Sequence, residues 1–309
     1  MVNENNAAIR MDSNPETGEE RNDMNVTIRS GKYSCVISYH GAELKSFKKD
    51  NTEYIFQADP EFWPRSSPVL FPIVGALNNK KIKIGGKDYS MSQHGFARDT
   101  DFKLLEKNPD SCTFYLRSSE ETKEFYPFDF ELRIEYVLKK SRLTVSWRVI
   151  NIGAETMYFS IGAHPAFCCE PCHASVRLFK DGRRLESFEN LGYAAGTLNG
   201  EKSTVKLDDG KLLYEHHTFD NDAYILGDRQ ADEAELLDKK GKRLVTVRFE
   251  TPALGIWSPT AKDAPFICIE PWYGIPDPKG FNGEFSEKPL SLACEPGGKS
   301  EKSYTIEIY

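Results

Sequence analysis

The feature that most constrains the fold is a pair of long alternating runs joined by a short polar turn. Phe130, Leu132, Ile134, Tyr136 and Leu138 are apolar at every second position, and so are Leu143, Val145, Trp147 and Val149. A period of two places each set on one face of an extended strand. The intervening Lys139-Lys140-Ser141-Arg142 is polar and short, so the two runs predict a long antiparallel hairpin with one buried face. A hairpin of that kind needs a second layer to cover its apolar side.

Other stretches supply that layer. Val26, Ile28, Tyr33, Cys35, Ile37 and Tyr39 alternate with polar residues. Residues 81–89 predict a second hairpin, because Gly85-Gly86 can take the positive φ that a two-residue turn demands. Further strands are predicted at Ala174–Phe179, Thr204–Leu207, Ala223–Leu226, Glu233–Leu237, Arg243–Glu250, Gly255–Trp257, Phe266–Glu270 and Ser303–Ile308. Helical signal is sparse: Ser119 can cap a short helix that Pro127 stops, and Asp59–Trp63 suggests one more turn. The fold class is therefore all-β, an antiparallel sandwich or barrel. No repeat is present, and no linker follows residue 24, so residues 24–309 form one large domain in this reading. Residues 1–23 are polar and poor in aromatics, which predicts a disordered N-terminal tail.

Composition narrows the function classes. A net charge of −7 with both signs mixed argues against a nucleic-acid partner. No apolar run approaches a membrane span, and no apolar segment suited to secretion opens the chain. Seven cysteines without a secretory signal predict reduced thiols in a cytoplasmic protein.

Four loop-like stretches carry ionisable groups beside Gly, Pro and aromatic residues, as sites on rigid sheets often do. They contain Arg65, His94 with Arg98, His164, and Glu270 followed by Pro271-Trp272-Tyr273. Glu270 closes an apolar strand. It is either a strand-end carboxylate in water or a desolvated base. His164 follows Gly162 and precedes Pro165. It is either a structural histidine or an acid–base group with a free pKa near working pH. His94 could donate to a ligand hydroxyl or bridge two loops. Arg65 and Arg98 could bind hydroxyls or an anion, or form surface ion pairs. Trp63, Trp257, Trp272 and Tyr273 could stack on a sugar ring or pack in the core. Cys169-Glu-Pro-Cys172-His173 has the spacing of haem attachment but lacks an export signal, and no matching zinc ligands are evident nearby. The spacing is read as chance, with no metal and no cofactor.

Taken in order, these stretches resemble the aldose 1-epimerase (galactose mutarotase) superfamily. The likeness is strongest to its LacX-like branch, which is related to the hexose-6-phosphate epimerases. Gly41-Ala-Glu-Leu, Pro68–Gly75, Gln93–Arg98, Ser160–Phe167, Asn221-Asp-Ala and Cys268–Trp272 carry the likeness, over roughly residues 26–309. The resemblance implies a large twisted antiparallel β-sandwich with a sugar or sugar phosphate in a cleft. It implies Glu270 as general base, His164 as general acid, and His94, Arg65 and Asp222 as substrate-binding residues, with Asp220 an alternative to Asp222. Arg98 and Trp272 are further candidates for the ligand. Acid and base are expected to flank one pyranose, a few ångströms beyond hydrogen-bond contact. The implied activity is an aldose 1-epimerase, a hexose-6-phosphate 1-epimerase, or a non-catalytic sugar binder on the same fold, as monomer or homodimer. Ala166-Phe167 after Pro165, Cys168-Cys169 and the insert before Asp222 depart from the better-known galactose enzymes.

Overall fold

The structure, a computed structural model, describes residues 25–309. The tail expected at 1–23 lies outside the described residues. The alternating runs form the predicted hairpin, strands Phe130–Lys139 and Arg142–Asn151, with Ile134 opposite Trp147 and Leu138 opposite Leu143. Lys140 makes the turn with φ 54°. The alternating apolar residues are all buried. The glycine hairpin also forms: Gly85 and Gly86 take φ 59° and 77° between strands Lys81–Ile84 and Lys87–Ser90.

The long hairpin lies inside a ten-stranded sheet. Strands Ser111–Arg117 and Lys103–Lys107 extend it on one side. Lys299–Ile308, Arg243–Phe249, Glu233–Leu237 and Ala174–Lys180 follow on the other, all pairing antiparallel. A six-stranded sheet covers it, in the order Tyr224–Leu226, Ala253–Trp257, Phe266–Tyr273, Ile161–Ala163 and Val69–Leu70. Ala166–Cys168 joins that sheet along the edge of Phe266–Tyr273. Trp147 of the first sheet meets Tyr273 of the second edge-on, with ring centroids 6.5 Å apart. The main core lies between the two sheets, and a four-stranded sheet formed by residues 25–53 closes one side of it.

Helices are short, as the sparse signal implied: Ser119 caps Glu120–Lys123 through a reciprocal bond with Thr122. Among the described residues no helix is long and apolar enough to cross a membrane. All seven cysteines are unpaired.

Strands Lys103–Lys107, Ser111–Arg117 and Lys211–Tyr214 carry no strand signal in the sequence reading, and two elements that frame the site differ from it. Residues 187–206 form a hairpin, Ser187–Ala194 with Thr197–Lys206, of which only its last residues were anticipated. Its half-exposed residues follow no two-residue rhythm. The strand expected to end at Glu270 continues to Tyr273, straight through Pro271. Proline costs a strand one ladder donor. Here the neighbouring chain is itself interrupted at His164-Pro165, between Ile161–Ala163 and Ala166–Cys168, so that loss falls at an existing gap.

Candidate active site

Strand alternation builds the site. Ile267, Ile269 and Tyr273 join the main core, while Phe266, Cys268 and Trp272 join clusters on the opposite face. Glu270 shares the parity of the second group. Gly162 lies opposite Trp272 and Ala166 opposite Cys268. Carried across the gap, that register sets His164 directly opposite Glu270. Directly opposed residues have Cβ atoms about 4.5–5.5 Å apart, so the two side chains must meet. They do: His164 Nε2 lies 3.2 Å from Glu270 Oε2. The separation of several ångströms expected from the sequence is corrected by this register. Two prolines thin the ladder at the gap; the bond from Ile269 N–H to the Pro165 carbonyl, 3.3 Å, still spans it.

Close approach explains two glycines here. A Cβ on Gly162 would sit 2.9 Å from the Trp272 ring, and one on Gly255, the ladder partner of Glu270, would sit 2.7 Å from it.

The pair is buried and incompletely satisfied. Glu270 is 1% exposed and His164 8%. Among the described residues Glu270 Oε2 and His164 Nδ1 have no hydrogen-bond partner, so the close contact is out of line for a hydrogen bond. Burial pushes the Glu270 carboxyl well above the usual carboxylate range, and the nearby Asp222 adds to the rise. Trp272 Nε1 lies close enough to oppose that rise yet makes no hydrogen bond. Burial also lowers His164 to about 3, helped by the positive charge of Arg98 and then of Arg65. Both effects disfavour separated charge, so one proton belongs to the pair rather than to either group. Trp63 stacks on the His164 ring at 4.8 Å, and Trp257 meets it edge-on at 5.6 Å.

His94 approaches from the other side, its ring centroid 5.5 Å from that of His164. The Gly75 N–H donates to His94 Nδ1 at 3.1 Å. A backbone N–H can only donate, so Nδ1 is the acceptor and a neutral His94 carries its proton on Nε2. Burial first, and His164 next, hold His94 well below the ordinary histidine range, which keeps it neutral.

The remaining predicted residues divide. Asp222 has a half-buried carboxyl raised by burial and partly steadied by the Ala223 backbone and the Trp257 ring. Asp220 instead pairs with the exposed His217 at 2.8 Å. Arg65 is engaged by Asp99 at 2.7 Å, whereas Arg98 lies 3.6 Å from the same carboxylate. Arg98 Nε, the atom facing Asp99, is buried and makes no hydrogen bond among the described residues, and burial, then Arg65, bring the group down to about 10. Trp272 is 3% exposed and packed with Leu70, Val74 and Ala253, so it has no open face to offer a sugar. Tyr273 faces the main core. Trp63 and Trp257 remain half-exposed beside the pair.

Two residues escaped the sequence reading. Tyr193 accepts a bond from Gln93 Nε2 at 3.2 Å and lies close to Asp222 and Glu270, whose charges help burial raise its phenol. A register shift between Leu191 and Tyr193 re-aims it, a common device beside active sites. Buried Glu43 accepts from the Ser66 and Ser67 N–H groups at 2.7 and 2.8 Å, which fixes the loop bearing Arg65. Glu43 falls within the Gly41–Leu44 motif, which was its one visible signal.

Chemically, the arrangement offers a buried carboxyl and imidazole sharing a proton, beside an N–H donor on His94. Donor atoms of His164, Cys268 and Glu270 also lie within 4.8 Å of one another. A metal ligand must be a thiolate, and full burial pushes the Cys268 thiol far up, so a cation fits poorly there.

Known proteins resemble the chain over most of its length. A family model described as aldose 1-epimerase matches residues 24–303. The chromosomal protein LacX of Lactococcus lactis is 33% identical over 299 residues, 92% of this chain and 99% of that protein. A galactose mutarotase related enzyme from Lactobacillus acidophilus superposes with a TM-score of 0.86 at 33% identity, over 93% of this chain and 97% of its own. A galactose mutarotase-like protein from Lactobacillus casei gives 0.85 at 30% identity, over 92% and 100%.

Proposed function

The chain belongs to the aldose 1-epimerase family, and on that premise we propose that it interconverts the α and β anomers of a hexose or related sugar in the cytoplasm by acid–base ring opening. The observation carrying this reading is the buried His164–Glu270 contact, in which each group keeps an unused hydrogen-bonding position. Glu270 takes the proton from the C1 hydroxyl. The electron pair left on oxygen forms the aldehyde, the bond from C1 to the ring oxygen breaks, and the ring oxygen takes a proton from His164. After rotation about C1–C2 the ring closes with the two roles reversed. The hydroxyl and the ring oxygen hang on one carbon, so an acid and a base that are immediate neighbours can serve both. His94 donates from Nε2 to the ring oxygen as charge develops there. Arg65 and Asp222 hold the hydroxyls. The proton transfers need no cofactor. Each positioned group contributes about 10²–10⁴-fold.

A phosphorylated hexose is the second reading. Arg98 favours it, because its buried Nε makes no hydrogen bond among the described residues and stands 3.6 Å from Asp99, whose carboxylate is already engaged by Arg65. The test follows anomer exchange of glucose, galactose and glucose 6-phosphate by magnetisation-exchange NMR. Acceleration of at least one is the expected outcome, and the preferred sugar separates the two readings. Measurable binding without acceleration of any would make the protein a sugar binder instead.

A further inference from the structure

The sequence contains a C-x-x-C-H run that the sugar chemistry leaves unused, and the structure divides its members. Cys169 packs against the main core, and His173 Nδ1 lies 2.9 Å from the Pro171 carbonyl. Cys172 instead meets two residues from distant loops. Its Sγ donates to Asp263 Oδ1 at 3.2 Å, and Asp263 Oδ2 pairs with His216 Nδ1 at 2.5 Å. One donor atom from each of the three lies within 4.8 Å of the others. We infer that Cys172, His216 and Asp263 form a binding site for a zinc-class divalent cation, distinct from the cleft.

The chemistry fits in kind and size. Thiolate, imidazole and carboxylate are the three side chains that zinc takes, and three protein ligands leave a fourth position for water. Ligand atoms around tetrahedral zinc stand about 3.3–3.6 Å apart, from metal–ligand distances of about 2.0–2.3 Å. Cys172 Sγ stands 3.2 Å from Asp263 Oδ1, within about 0.3 Å of the sulfur–oxygen spacing. His216 Nδ1 contacts the other carboxylate oxygen, Oδ2, so ligation through one Asp263 oxygen requires that contact to open, a side-chain rotation for an imidazole whose side chain is 73% exposed. On binding, the cation displaces the thiol proton directed at Asp263 and the Nδ1 proton that His216 shares with Asp263; a neutral His216 moves that proton to Nε2, so one proton is released, whereas an imidazolium gives it up, making two.

Each ligand sits in a loop with one end at the cleft. Cys172 follows strand Ala166–Cys168, which begins two residues after His164. His216 starts the loop that ends at Asp222. Asp263 lies between Trp257 and Phe266. A bound cation ties these three loops together along one flank of the site, and the inference stands independently of the sugar chemistry.

Cobalt(II) is the probe, titrated into the full chain after chelator treatment and tag removal. One equivalent should give the sulfur-to-cobalt charge-transfer band and the intense visible bands of a tetrahedral site. Cys172→Ser should abolish the charge-transfer band. His216→Ala should weaken binding by more than about tenfold, since even outer partners of a metal site are worth that much. Cys169→Ser and His173→Ala should leave the spectrum unchanged. Circular dichroism checks that each variant is folded. A titration without the band, or a band that survives Cys172→Ser or follows Cys169, overturns the site and leaves only adventitious surface binding.

Discussion

Two buried pairs of ionisable groups can be set side by side. Lys288 and Asp277 are 0% and 1% exposed in their side chains and meet at 2.5 Å. The second Asp277 oxygen accepts the Asn78 N–H at 2.9 Å, and the Asn78 amide donates to the Pro278 and Phe281 carbonyls. His164 and Glu270 are nearly as buried and lie 3.2 Å apart. Around them Glu270 Oε2, His164 Nδ1, Trp272 Nε1 and Arg98 Nε make no hydrogen bond among the described residues. The first pair spends its hydrogen-bonding capacity on the fold. The second holds its capacity in reserve, which costs stability and leaves donors and acceptors for a ligand. Burial is common to both, so unspent capacity is what marks a site. The two are also neighbours in construction: Asn78, held by Asp277, follows Gly75-Ala76, and Gly75 orients His94.

The sharpest way to break this comparison is to substitute one member of each pair. Glu270→Gln should lower kcat about 10²–10⁴-fold while sugar binding persists and the fold stays intact. Near-normal anomer exchange would remove Glu270 from the base role. Lys288→Met should leave the chemistry alone but cost about 3–5 kcal/mol, because it strands a buried carboxylate. A denaturant midpoint close to that of the parent protein would contradict the structural role of that pair.

The smallest effect concerns pH. The proposed reaction needs one proton on the His164–Glu270 pair. A second proton binds only near the lowered His164 value of about 3. The first leaves only above the raised Glu270 value. The kcat/KM profile should therefore be flat through neutral pH, with its acid limb far below the ordinary histidine value of about 6.5. Stability follows the pair as a whole. Below about 6.5 the unfolded chain also holds one proton, on His164, so stability is level there; it declines only once unfolded Glu270 protonates below about 4.3, on down towards about 3. An acid limb close to 6.5 would mean that His164 titrates as a solvated group.

Much of this was legible in the sequence because alternation is a strong signal where one face is buried. The hairpin of 130–151 is the clearest case. The hairpin of 187–206 was largely missed because its residues are half-exposed on both faces, and Tyr193 was missed with it. Glu270, His164, His94, Arg65 and Asp222 were singled out by motifs, not by spacing. Their convergence depends on ladder register, which no local pattern encodes. Pro271 read as a strand end because its neighbour across the ladder, itself broken at Pro165, could not be foreseen. Trp272 read as a platform, yet Gly162 and Gly255 make it a packed ring. Cys172, His216 and Asp263 come from three loops and share no sequence signal at all.

The register that sets His164 against Glu270 has a consequence for how a lineage could change this protein. Side chains alternate faces with every residue, so adding or deleting one residue in either strand turns the pair away from each other at once. The strands carrying the pair are thus locked in length. The surrounding connections, such as the 187–206 hairpin and the loop from Glu215 to Asp222, are free to lengthen or shorten. New ligand preferences are therefore reachable through insertions in those connections, with the buried pair inherited unaltered.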